Sequence, residues 1–143
     1  MTKPTPLLDE EQAVYVRRLR ETARAVMAVL APFNPYLAGS VLDGTVHPYG
    51  RIDLLVFADS AKELEIFLLD QEIDFVHEVP RNEKAEAVLV LTTEVAEVNV
   101  VVYPTHLERV AFKYRDGRPR DRIRLPALEA LLAPEVNTQG DAA

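Results

Sequence analysis

Apolar residues recur at three- and four-residue steps from Tyr15 through Leu19, Ala23 and Val26 to Leu30, while Arg17, Arg18, Arg20, Glu21 and Arg24 fill the positions between. This spacing predicts an amphipathic helix with one buried stripe and arginines turned to water. Asp9 stands where an N-cap belongs, and Glu10 and Glu11 fall in the first turn, where the helix dipole favours negative charge. Pro32 ends the element. Residues 52–58 then form a nearly unbroken apolar run, as a strand covered on both faces would, and Asp53 is its one charge. Asp59-Ser60 with Glu63 makes a capping-box start for a helix that buries Leu64, Phe67 and Leu68 and runs to Asp70. Residues 74–79 alternate around Phe75 and Val76 and predict a strand; 80–86 reads as a charged turn. Ala87–Thr92 and Glu97–Tyr103 are rich in valine and predict two more strands, the second closed by Pro104.

The order is helix, strand, loop, strand, helix, three strands and short helices. It predicts an α/β (α+β) fold, a mixed sheet with helices packed on one face. Residues 1–8, with Pro4 and Pro6, read as an irregular arm, 9–133 as a single domain, and the small polar tail 134–143 as disordered.

Composition narrows the function classes. Sixteen Lys and Arg against 23 Asp and Glu leave a formal charge of −7, which disfavours a general polyanion binder unless its basic residues are gathered locally. With no cysteine there are no disulfides, thiolate zinc sites or cysteine nucleophiles, and the three scattered histidines suggest no metal cluster. The polar, acidic start has neither the basic nor the apolar region of a signal peptide, and no run reaches membrane-spanning length, so a cytoplasmic protein without membrane contact is expected.

Residues 39–57 carry the most specific pattern: Gly39-Ser40, Gly44-Thr45, Pro48, Gly50, and then Leu54, Leu55 and Val56 after Asp53. This stretch resembles the signature of the nucleotidyltransferase superfamily, the DNA polymerase β-like fold, and especially its small bacterial members. The family's Gly-Ser-x-x-x-Gly falls on Gly39, Ser40 and Gly44, its Thr-x-x-Pro on Thr45 and Pro48, and its second acidic position on Asp53. The resemblance implies a nucleotidyltransferase-like core with Gly-Ser at the end of the first strand and an acidic pair on the second. It also implies two carboxylates on one strand face and a third from a later strand, jointly holding Mg²⁺ ions that carry a triphosphate.

The same site departs from the family. Its first acidic position holds Arg51; for the third the later strand offers Glu97 and Asn99 on one face, of which Asn99, inside the apolar run Val98 to Val102, is preferred; the residue after Ser40 is Val41, and Gly50 replaces a serine. Arg51, Asp53 and Asn99 together carry no net charge, too little to hold two hard cations. Arg51 and Asp53 share a strand face, so an ion pair closing the metal position is expected. A rescued metal site would need Asp43, Asp53 and Glu97 to converge; Asp43 otherwise reads as a turn cap. His47 and Tyr49 flank Pro48, either exposed in the loop or placed to stack on a base or sugar, and His77 and His106 take no role.

A second feature is the segment 109–124, which carries an excess of five positive charges with Phe112 and Tyr114 interleaved. Lys113, Arg115, Arg118, Arg120, Arg122 and Arg124 read as a solvated hairpin turning at Asp116-Gly117, or as a basic patch for a phosphorylated ligand or a nucleic acid, the latter not favoured. Leu125 to Leu132 follows as a short helix with Pro126 in its first turn.

Three functions remain open. The leading one is a catalytically inactive, metal-free module binding a nucleotide or phosphate ligand, or a protein, with Gly39, Ser40, Arg51, Asp53 and Asn99 against the ligand. The second is an active transferase moving an NMP group from an NTP to a hydroxyl, with Mg²⁺ and with Asp53 as a metal ligand. The third is a structural subunit, pairing with a protein partner or with a second copy.

Overall fold

The computed structural model describes residues 9–45 and 50–134, so the arm 1–8, His47, Pro48, Tyr49 and the tail 135–143 lie outside the described residues. Within them a six-stranded mixed sheet runs in the order β3-β4-β5-β2-β1-β6. The strands are β1 (Tyr36–Ala38), β2 (Ile52–Phe57), β3 (Val76–Glu78), β4 (Ala87–Thr92), β5 (Glu97–Tyr103) and β6 (Arg122–Arg124). β2 and β5 are parallel at the centre, and every other neighbouring pair is antiparallel.

The helices are α1 (Asp9–Val29), α2 (Gly39–Asp43), α3 (Ala61–Asp70) and α4 (Leu125–Leu132). One core takes buried side chains from all four: Leu19, Ala23 and Met27 of α1, Val41 of α2, Leu64 and Leu68 of α3, and Leu128 and Leu132 of α4. From the sheet this core takes Leu37, the alternate residues Ile52, Leu54 and Val56 of β2, and Val98, Val100 and Val102 of β5. All helices therefore cover one face, as the pattern predicts. Since side chains alternate across a strand, Asp53, Leu55 and Phe57 of β2, and Asn99, Val101 and Tyr103 of β5, must occupy the other face.

That second face carries a smaller core of Ala38, Leu55, Phe57, Tyr103 and Phe112, covered by the segment that follows β5. At its centre the Arg122 guanidinium lies over Tyr36, Phe57 and Phe112, 4.6, 5.1 and 5.2 Å from the ring centroids. Cation–π attraction and the lost hydration of the rings hold it there.

Several sequence-based expectations need correction. The stretch after Gly39 is not a loop: α2 begins at Gly39, and Gly44, at φ +83°, caps it by donating to Ser40 O. Asp43 is the last residue of that helix. The arginines of α1 are not merely solvated. Arg20 donates to Val41 O at 3.0 Å and Leu42 O at 2.7 Å, and Arg17 donates to Leu132 O at 2.8 Å, so the two side chains tie α1 to the C-terminal carbonyls of α2 and α4. The strand expected over 74–79 keeps only Val76–Glu78, an exposed edge. The expected hairpin closes through one bridge, Lys113 to Pro119, around Gly117 at φ +92°; Arg122–Arg124 leaves it to pair with β1. In α3, by contrast, the Ser60 hydroxyl accepts from the Glu63 N–H as the capping pattern predicts. Among the described residues no helix is long and apolar enough to cross a membrane.

Candidate functional site

The face opposite the four α-helices is open along β2, β5 and β4, and a cavity of about 550 Å³ lies there. Its lining is apolar at Leu55, Val88 and Val101 and polar at Ser40, Asp53 and Asn99. The fold makes this arrangement in two steps. The parallel register of β2 and β5 sets Asp53 directly beside Asn99. The antiparallel pairing of β1 sets Ala38 beside Asp53, so the chain turns into α2 next to the carboxylate.

Gly39 is what allows that approach. Its φ is +78°, and a Cβ there would lie 2.6 Å from Asp53 Oδ2, closer than non-bonded carbon and oxygen tolerate. Only glycine meets both conditions without strain.

The expected Arg51–Asp53 ion pair does not form. Asn99 stands between the two groups: it donates to Asp53 Oδ1 at 3.0 Å and accepts from Arg51 at 3.0 Å. A guanidinium only donates and a carboxylate only accepts when ionised, so the carboxamide has one orientation that satisfies both. Arg51 turns instead to Glu78 at 2.8 Å and Glu97 at 3.0 Å. Two carboxylates from neighbouring elements thus neutralise it, and the bond to Glu78 leads the effects that raise its pKa.

Asp53 is half-buried, and desolvation pushes its carboxyl above the ordinary aspartate range. Four effects oppose that push, namely the Asn99 hydrogen bond and the charges of Arg120, Arg81 and Arg51. Arg81 and Arg120 line the same cavity and, among the described residues, pair with no carboxylate.

Asp43, Asp53 and Glu97 do not converge. Glu97 is committed to Arg51, and among the described residues no three His, Asp or Glu side chains are grouped to share a metal ion. The donor set at the centre, a carboxamide, one carboxylate and a guanidinium, does not suit the pair of divalent cations that the resemblance implies.

The basic segment does not act as one surface. Arg120 enters the cavity, and Lys113 lines an adjoining lobe of about 360 Å³ that shares Asn82, Tyr103 and Arg120 with it. Arg118 pairs with Asp116 at 2.8 Å, Arg122 fills the aromatic cluster, Arg124 lies over Tyr36, and Arg115 stays exposed. His77 reaches Glu65 at 3.4 Å, away from the cavity.

Sequence reasoning missed Glu78, Arg81 and Asn82 as site residues. They fall in a stretch that reads as a strand end and a charged turn, and nothing in its composition separates it from an ordinary turn. Asn82 holds that turn: its Oδ1 accepts the N–H groups of Lys84 and Ala85, and its Nδ2 donates to the Tyr103 hydroxyl at 3.1 Å. Comparison with family models, curated proteins and solved structures returns no match.

Proposed function

We propose that this protein is a nucleotidyltransferase-like binding module that holds a nucleotide or another phosphate ligand without metal-dependent transfer. The observation that carries the reading is the state of Arg51. It occupies the first acidic position of the motif and is tied to Glu78, Glu97 and Asn99 at 2.8–3.0 Å, so a cation of the protein itself stands where the family places a metal ligand.

The geometry around it supports the same reading. Gly39-Ser40 follows the first strand, Asp53 lies on the second, and Asn99 lies beside it on a parallel strand, the three placements that the resemblance implies. A cavity of this size falls within the roughly 300–1,000 Å³ of small-molecule sites and mixes apolar side chains with a few polar groups, as such sites do.

Two measurements test it together. Calorimetric titration with Mg²⁺ and Mn²⁺ is expected to show no micromolar site, and incubation with labelled NTPs and Mg²⁺ to give neither self-labelling nor pyrophosphate release. A micromolar metal site lost in Asp53→Ala, or pyrophosphate release lost in the same variant, would establish the active transferase instead.

A further inference from the structure

Charge inside the cavity is divided unevenly. Arg51 is neutralised by Glu78 and Glu97 and offers little to a ligand. Arg81 and Arg120 are different: both line the cavity and neither pairs with a carboxylate among the described residues. Arg120 is held at its base, its N–H donating to Phe112 O at 2.9 Å and its guanidinium lying 5.4 Å from the Tyr114 ring centroid. The same lining includes Ser40, the Asn99 carboxamide and the Asp53 carboxylate, of which the last repels an anion and accepts from hydroxyl or amide donors. One cavity thus carries acceptors, cations without carboxylate partners, and the apolar side chains of Leu55, Val88 and Val101.

From this division we infer that the ligand is a phosphorylated sugar or nucleoside bound in one orientation, its hydroxyls on Asp53 and its phosphate between Arg81 and Arg120. The inference rests on the metal-free reading above and adds the ligand class and its direction. A guanidinium pair recognises phosphate through several parallel N–H donors, which requires no metal bridge. The Asn99 bond fixes Asp53 Oδ1, so the carboxylate is oriented before the ligand arrives. Arg120 also borders the second lobe, where Lys84 and Lys113 stand, so a longer phosphate chain continues in that direction.

The test uses the full chain in the presence of EDTA, with ribose 5-phosphate, adenosine 5′-monophosphate, adenosine and inorganic phosphate as probes, followed by calorimetry and amide chemical shifts. The two phosphorylated probes are expected to bind more tightly than adenosine or phosphate alone. Arg81→Ala and Arg120→Ala, both at side chains outside the main core, are each expected to weaken ribose 5-phosphate about ten- to a hundredfold, the scale of a charged hydrogen bond. Asp53→Asn keeps an oxygen for the Asn99 bond; it is expected to weaken ribose 5-phosphate while leaving inorganic phosphate equal or tighter.

Binding in EDTA that ignores Arg81 and Arg120, or Asp53→Asn weakening sugar phosphate and inorganic phosphate alike, overturns the orientation and leaves the metal-free reading in place. Binding that appears only with Mg²⁺ overturns the metal-free reading and the inference with it. No shift from any probe at millimolar concentration also overturns the inference.

Discussion

Replacing Gly39 with alanine is expected to be among the most damaging single-methyl additions in the protein, and its cost separates into two parts. A Cβ at this position would lie 2.6 Å from Asp53 Oδ2 and 3.3 Å from Asp53 Cβ and Cγ, so β2 or the start of α2 must give way. Overpacking of this kind costs about 1–3 kcal/mol. The backbone adds its own term, because φ at Gly39 is +78° and a non-glycine residue held there costs about 1–3 kcal/mol. Together they amount to about 2–6 kcal/mol, a large share of the stability of an ordinary domain. Urea unfolding followed by circular dichroism reads the loss as a lower midpoint at unchanged slope. A double-mutant cycle then isolates the clash. Asp53→Ala removes Oδ2 and Cγ, so the Gly39→Ala/Asp53→Ala protein is expected to recover about 1–3 kcal/mol relative to the sum of the single changes, leaving the backbone term behind. A Gly39→Ala protein within about 0.5 kcal/mol of the parent, or strictly additive single effects, refutes the close packing of α2 against the Asp53 carboxylate.

Three further outcomes follow from the same structure. Desolvation raises the Asp53 pKa, so between the ordinary aspartate value and the raised one the folded state holds more protons than the unfolded chain, and stability falls as pH rises through that window. Asp53→Asn is therefore expected to be more stable than the parent at neutral pH, with the gap closing in mild acid; urea midpoints that favour the parent at neutral pH contradict this. Leu54, fully buried at the centre of the main core, is expected to cost about 2–5 kcal/mol as Leu54→Ala, and a loss below this range means that the helical layer collapses onto the vacated space. Arg122→Ala is expected to cost about 1–3 kcal/mol by emptying the space over Tyr36, Phe57 and Phe112 and freeing Glu108 O, with Arg122→Lys restoring only part; full rescue by lysine argues against a planar stacking role.

What the sequence makes legible is whatever depends on neighbours along the chain. β4 and β5 were readable to the residue because valine-rich runs bounded by turn residues admit few alternatives, and α3 was readable from Ser60 and Glu63. The start of α2 was not, because a helix opening on Gly-Ser at positive φ has the local appearance of a turn, and what sustains it is Arg20 from another helix. β6 depends on the free edge of β1, a partner some 85 residues away in sequence, as the pairing of Leu37 with Ile123 shows. The site followed the same division. That Asp53 and Asn99 sit side by side was an inference from two strands, whereas the turning of Arg51 toward Glu78 required knowing that β3 ends next to it. Arg81 was invisible for the same reason: its importance lies in lining the same cavity as Asp53, not in its local company.

The carboxamide of Asn99 keeps the centre more than one substitution away from a metal-binding set. Changing Asn99 to aspartate alone would set a second carboxylate at the 3.0 Å separation now held by a hydrogen bond to Asp53, with Arg51, already tied to Glu78 and Glu97, on its other side. Changing Arg51 to aspartate alone would leave Glu78 and Glu97 without their cation and set a further carboxylate beside them. Each single substitution passes through a crowded, like-charged intermediate, and only the two changes together approach a metal-binding set.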